Sequence, residues 1–197
     1  MTKQDLMDII VKVAPGSPLR EGVDYILDAG IGALIVIGYD DEVEKVRDGG
    51  FFIDCDYTPE RIFELSKMDG AIILNDDCSK ILYANVHIQP NISFITTESG
   101  TRHRTAERTA KHLKREVVAI SERKKNVTLY KGELKYRLKN FDELNTLGVK
   151  KDEAMEIALN SEKTRNFNQK YKNISVGLSS GTSGHRGMFI TTPEEQG

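Results

Sequence analysis

Residues 98–113 read ESGTRHRTAERTAKHL and place Arg102, His103 and Arg104 in a row directly after Ser99, Gly100 and Thr101. Ala106, Ala110 and Leu113 follow at helical spacing, so the basic triplet opens a helix. A helix N-terminus carries unpaired N–H groups and partial positive charge, which an acid in the first turn relieves. Arg and His there work against the dipole. Cations gathered at that end form an anion site suited to phosphates. Gly100 lets the backbone approach a ligand closely, and Thr101 and Thr105 add hydroxyl donors. The other reading is a solvated helix start in which Glu98 and Glu107 neutralise the arginines, and the spacing alone leaves both open.

Three other stretches hold reactive residue types. Asp69-Gly70 stands just before the apolar run AIIL. An acid at a strand edge binds a metal or polarises a hydroxyl, but Asp-Gly is also a favoured turn pair. Ser121-Glu122 closes the run VVAIS and offers a hydroxyl and a carboxylate, or else simply terminates the strand. Residues 179–187, SSGTSGHRG, have the backbone and hydroxyl donors that cradle phosphate, without the GKS or GKT of a Walker loop. Their alternative is a flexible tail.

The elements around these residues follow from periodicity and punctuation. Leu6, Ile9, Ile10 and Val13 predict a helix over 4–13, broken by APGSP, and a second helix runs from Leu19 to Ala29. GALIVIG (32–38) reads as a buried strand, Glu42–Val46 as a brief helix and FFID as a strand. TPERIFELSKM reads as a helix capped by Thr58 with Pro59 in its first turn. DGAIILN (69–75) and KILYAN (80–85) around a polar turn form a hairpin, followed by a loop containing Pro and Asn. VVAIS, VTLY and LKYRL are three more strands. The pattern implies an α/β fold with a mixed central β-sheet covered by helices. Beyond about residue 140 the chain turns polar, with few large apolar residues, and reads as a short, partly disordered C-terminal extension.

Composition bounds the function. A chain of 197 residues, 39% hydrophobic and 29% charged, builds a core. A net charge of -2 argues against broad nonspecific nucleic-acid binding while leaving room for a local basic pocket. The two cysteines, Cys55 and Cys78, lack zinc-type spacing and are expected to be reduced thiols, and the four histidines are scattered. The start MTKQDLMDII lacks a signal-peptide pattern, and no stretch approaches the roughly 18 apolar residues of a membrane span. The expectation is a soluble, cytoplasmic protein without a membrane partner.

VAPGSPLREGVDYIL, GALIVIGYDDEV, KMDGAIILNDDCSKILYAN, ESGTRHRTAER and AISERKKNVTLY occur in an order and spacing that resemble a DisA-type diadenylate cyclase domain. The resemblance covers about residues 5–138 and rests on Asp69-Gly70-Ala71 and Arg102-His103-Arg104. It implies a cyclase domain over 1–140 that condenses two ATP molecules to cyclic di-AMP and two pyrophosphates, with Mg²⁺ or Mn²⁺. It further implies homo-oligomers, octamers in this family, in which two domains face each other. Asp69 would engage the ribose 3′-hydroxyl near the metal, and Gly70 and Ala71 would contact the nucleotide. Thr101, Arg102, His103, Arg104 and Thr105, beside Gly100, would hold the triphosphate. Ser121 would serve the phosphates and Glu122 the metal. Ile88 stands where the family places a leucine beside the adenine, a change of similar volume.

The resemblance ends near residue 141, so the family's helix-hairpin-helix domain and its DNA binding are not expected. The extension, 141–197, instead resembles a fragment of adenylate-forming enzymes of the phenylacetate–CoA ligase type, through NISVGLSSGTSGHRGMFITTPEEQ. As a fragment it is expected to lack ligase activity and to pack poorly. The rival to the cyclase is an inactive module that binds ATP or cyclic di-AMP, its assembly blocked by this tail.

Overall fold

Residues 33–37, ALIVI, have no polar side chain and are buried throughout, which places this strand at the centre of a sheet covered on both faces. The computed structural model describes residues 10–14, 16–138, 149–167, 169–178 and 188–192. The chain divides into two units, Met1–Leu138 and Lys139–Gly197.

The first unit runs α1 (Pro18–Asp28), β1 (Ala33–Ile37), α2 (Asp41–Val46), β2 (Arg47–Asp48), β3 (Phe51–Asp56), α3 (Pro59–Ser66), β4 (Ala71–Leu74), β5 (Lys80–Ile88), α4 (Thr101–Leu113), β6 (Glu116–Ser121), β7 (Asn126–Lys131) and β8 (Leu134–Leu138). The eight strands form one sheet in the order β2-β5-β4-β1-β6-β7-β8, with β3 also paired to β5. Only β1 and β4 pair in parallel, with Leu34 opposite Ala71; the other pairings are antiparallel. The sheet is therefore mixed. Alternate residues of β1 point to two cores. Ala33, Ile35 and Ile37 join Leu19, Val23, Ile26 and Ile62 under α1 and α3. Leu34 and Val36 join Ala106 and Ala110 under α4. The two alanines let α4 lie close against the sheet, and this sets where its first turn ends up.

Three helices of this unit start with a side-chain cap: Ser17 accepts from the Arg20 N–H, Asp40 from those of Glu42 and Val43, and Thr58 from that of Arg61. Helix α4 starts at Gly100 with no side-chain cap and no acid in its first turn. Its N–H groups are left for another partner.

Several boundaries differ from the sequence reading. Of the helix read over 4–13, residues 10–12 are helical and 4–9 lie outside the described residues. Strand β5 continues through Asn85 to Ile88, where a loop was expected, because Asn85 takes a left-handed conformation at φ 56° and absorbs a bulge. Val86 and Ile88 beyond it are buried. The two-residue strand β2 has no periodicity to reveal it.

The second unit corrects the expectation of poor packing. Helix α5 (Lys151–Thr164) and the antiparallel strands β9 (Lys170–Tyr171), β10 (Ile174–Leu178) and β11 (Met188–Thr191) share a small core of Val149, Ala154, Ala158, Tyr171, Ile174 and Val176. The alanines contribute contact without large apolar area, so the segment reads as polar although it packs. Tyr171 donates a hydrogen bond to Glu153 at 2.5 Å. Residues 179–187, the Ser/Gly-rich stretch, lie outside the described residues.

Ala110 has no exposed surface, so Ala110→Leu forces α4 away from the sheet. We expect a loss of about 1–3 kcal/mol in a urea titration; unchanged stability would show that the helix is not held there.

Candidate active site

The elements converge at one end of the sheet, where β1 and β4 begin and the antiparallel strands β5 and β6 finish. Open parallel sheets usually hold ligands at the opposite, carboxyl ends of their strands. Here α4 aims its uncapped N-terminus at the amino ends instead. A cavity of about 650 Å³ opens between them, a size suited to one small-molecule ligand. Leu34, Ala71, Val86 and Ile88 give it an apolar side. Ser99, Gly100, Thr101, Arg102, His103 and Thr105 supply hydroxyl and cationic groups from the start of α4, and Ser121, Glu122 and Arg123 come from the end of β6. One wall suits a flat apolar group and the other an anion.

Ten of the residues singled out in the sequence line this cavity: Gly70, Ala71, Ile88, Gly100, Thr101, Arg102, His103, Thr105, Ser121 and Glu122. Asp69 and Arg104 are not among its lining. Both are exposed, Asp69 one residue from the Gly70 wall and Arg104 on the first turn of α4. A second depression of about 390 Å³ shares Ser99, Gly100, His103, Ser121 and Arg123 with the first and adds Lys124, Lys135 and Arg137. The basic wall thus continues through the β6–β7 turn onto β8.

The two acids that would neutralise the arginines of a solvated helix start are engaged elsewhere. Glu107 is buried, accepting from the Thr96 hydroxyl at 2.5 Å and the Thr97 N–H at 3.1 Å, and pairing with Lys111 at 3.2 Å. Burial raises its pKa, but these bonds outweigh that and hold it below the usual carboxylate range. Arg108 Nε donates to the Phe94 carbonyl at 3.1 Å and Lys111 to that of Ile95 at 2.8 Å. The back of α4 thereby ties down the loop that delivers Ser99 and Gly100. Glu98 accepts from the Tyr130 hydroxyl at 2.7 Å and from Lys135. Burial works against its charge, yet these two donors keep its pKa low. Tyr130, beneath His103, is raised by burial and by the Glu98 bond.

His103 is half-buried, with its ring edge-on to Tyr130 at 6.4 Å between centroids. Burial lowers its pKa below the ordinary 6.5, helped by the charges of Lys124, Arg102 and Lys135, while Glu98 opposes them. Arg102 lies across Gly32: a Cβ there would stand 2.7 Å from the guanidinium carbon. Gly32 is therefore the seat of Arg102. The sequence marks it only as the glycine before a strand, and no local pattern names a partner 70 residues away. Glu98, Tyr130 and Arg123 were missed as site residues for the same reason. Among the described residues no three of His, Cys, Asp or Glu gather in a metal-binding group, and no helix is long and apolar enough to cross a membrane.

Comparison with known proteins identifies the family and the fold. The model of the DAC family, DisA bacterial checkpoint controller nucleotide-binding, matches residues 20–134. The DNA integrity scanning protein DisA of Fusobacterium nucleatum is 94% identical over 145 residues, 74% of this chain and 42% of that protein. Its counterpart in Bacillus licheniformis is 51% identical over 138 residues, 70% of this chain and 38% of that protein. The chain thus spans about two fifths of the length of these relatives. The crystal structure of DacA from Staphylococcus aureus aligns with a TM-score of 0.52 at 22% identity, covering 70% of this chain and 91% of that one. A hypothetical membrane spanning protein from Bacillus cereus aligns at 0.55 and 18%, covering 62% of each. These two share the fold.

Two outcomes test the geometry. Gly32→Ala displaces the Arg102 guanidinium, and nucleotide affinity is expected to fall by about tenfold, the loss of one charge-assisted bond; calorimetry showing wild-type affinity would contradict the seat. In an NMR titration His103 protonates below the ordinary histidine value. Glu98→Gln removes the negative charge that favours the imidazolium, so its midpoint moves lower still; an upward or absent shift would contradict the arrangement.

Proposed function

Because the chain belongs to the DisA bacterial checkpoint controller nucleotide-binding family, we propose that it is a diadenylate cyclase, a nucleotidyltransferase that condenses two ATP molecules into cyclic di-AMP and two pyrophosphates. The observation that carries this reading is the cavity in which the Gly70-Ala71 wall faces the uncapped, basic start of α4. Adenine lies against Ile88, Leu34 and Val86. The phosphates lie along the first turn of α4, where backbone N–H groups, Thr101, Thr105, Arg102 and His103 meet them, with Ser121 and Arg123 on the other side. Arg104, on the outer side of that turn, serves phosphate that projects past the cavity.

The reaction joins the 3′-oxygen of one nucleotide to the α-phosphorus of another. Pyrophosphate leaves as the bond between the α-phosphorus and the bridging oxygen breaks. Asp69 takes the proton of the 3′-hydroxyl and releases it to solvent. A second identical step closes the ring. Phosphoryl transfer asks the protein for alignment and for neutralisation of charge rather than for covalent chemistry. Asp69 is exposed beside a cavity sized for one nucleotide, so the α-phosphate it works on is brought by a second copy facing the first. This reading therefore entails a homo-oligomer.

A divalent cation, Mg²⁺ or Mn²⁺, supplies further neutralisation of phosphate charge when bound. Mg²⁺ usually takes one or two carboxylates together with substrate phosphates and waters, so Asp69 and Glu122 fit a metal that arrives with ATP, without a preformed three-residue cluster. Their task is to hold it, and that of Arg102 and His103 to orient the phosphates.

The test is incubation of the whole chain with ATP and Mg²⁺ or Mn²⁺, with products followed by mass. Cyclic di-AMP is expected, with two pyrophosphates for each. Asp69→Asn should lower the rate by about 10²-fold or more while ATP still binds. Assembled wild-type protein that makes no cyclic di-AMP would overturn the reading.

A further inference from the structure

Asp69 has to be held in place, yet its carboxylate forms no hydrogen bond or ion pair among the described residues. Its position is set by its backbone alone. Resting on the cyclase reading, we infer that Asn85 is the residue that positions Asp69, by clamping the Asp69–Gly70 peptide onto the bulge of β5.

Three observations meet at this point. Asn85 Nδ2 donates to the Asp69 carbonyl at 2.7 Å. Asn85 has φ 56°, and the pairing of β4 with β5 slips around it: Ala71 stands opposite Val86 but Ile73 opposite Tyr83, one extra residue on β5. A regular ladder would pair backbone with backbone here, and the bulge substitutes a side-chain amide. Gly70, at φ 94°, lies so close to β5 that a Cβ would stand 2.8 Å from the Val86 carbonyl oxygen and 2.9 Å from the Val86 nitrogen. The Asp69–Gly70 peptide is thus pressed onto β5 on one side and hydrogen-bonded to it on the other.

The residue type follows from two demands. The left-handed conformation favours Gly, Asn or Asp, and the carbonyl needs a donor. Asn meets both. Gly meets only the first, and Asp turns an acceptor toward an acceptor. Asn85 is therefore a positioning residue: it touches no reacting atom and acts through the placement of Asp69. The helix start and the end of β6, which hold the phosphates, do not depend on it.

Asn85→Gly in the whole chain still permits the left-handed conformation and removes the donor. Amide exchange at Gly70 and Ala71 is expected to quicken by about fivefold, the loss of one neutral hydrogen bond. In the cyclase assay kcat falls by about tenfold or more, as misplacement of a reacting group does, while KM for ATP stays unchanged. Asn85→Asp, which repels the carbonyl, lowers kcat further. Unchanged exchange overturns the clamp whether or not the protein turns over. Faster exchange with wild-type kcat, or a rise in KM alone, overturns the positioning role. If the wild-type protein makes no cyclic di-AMP, the cyclase reading falls, and exchange at Gly70 and Ala71 alone decides for or against the clamp.

Discussion

Two arginines at the positive end of a helix repel its dipole and each other, and burial disfavours the charge of the histidine between them. Each such charge costs about 0.3–1 kcal/mol where it stands near the end of a helix. Helix α4 carries this burden with no cap and no acid in its first turn, so the rest of the domain holds the turn in place. Ala106 and Ala110 bring the helix down onto the sheet. Glu107, Arg108 and Lys111 fasten the preceding loop to the back of the helix. Glu98 ties the last turn of that loop to β7 and β8 through Tyr130 and Lys135. The acids that would have relieved the helix start serve instead to fix it. Contacts that keep cations together at a helix start suit the binding of an anion.

The opposite wall obeys a different constraint. Asp69 is exposed, and its carboxylate makes no hydrogen bond or ion pair among the described residues, which suits the role proposed for it. Its order comes from the main chain, through the tight seat of Gly70 on β5 and the bulge there. One wall is rigid through side-chain networks and the other through backbone contact. In the proposed reading the cavity between them takes one nucleotide, and the second is brought by another copy.

Much of this was readable from residue order, and the remainder was not for identifiable reasons. The β4–β5 hairpin shows in apolar runs around a polar turn, and Thr58-Pro59 announces a helix start through local chemistry alone. The basic triplet could be placed at a helix start because Ala106, Ala110 and Leu113 fix the phase. By contrast, Asn85 argues against a strand by propensity, and only the bulge reveals why β5 runs through it. Gly32 has meaning only beside Arg102, and Glu98 only beside Tyr130 and Lys135; such pairs form across the fold and leave no periodic trace. In the second unit, Val149, Ala154 and Ala158 build a core too small in apolar area to stand out from its polar neighbours.

In the proposed reading the cavity beside α4 is a triphosphate site before it is anything else. The measurement that reaches this most directly is calorimetric titration of the whole chain with ATP lacking the 3′-hydroxyl, which can occupy the site but cannot react. Saturable binding of one nucleotide per chain is expected, weakened when Arg102 is replaced by alanine. Absence of binding, or binding indifferent to Arg102, would contradict it.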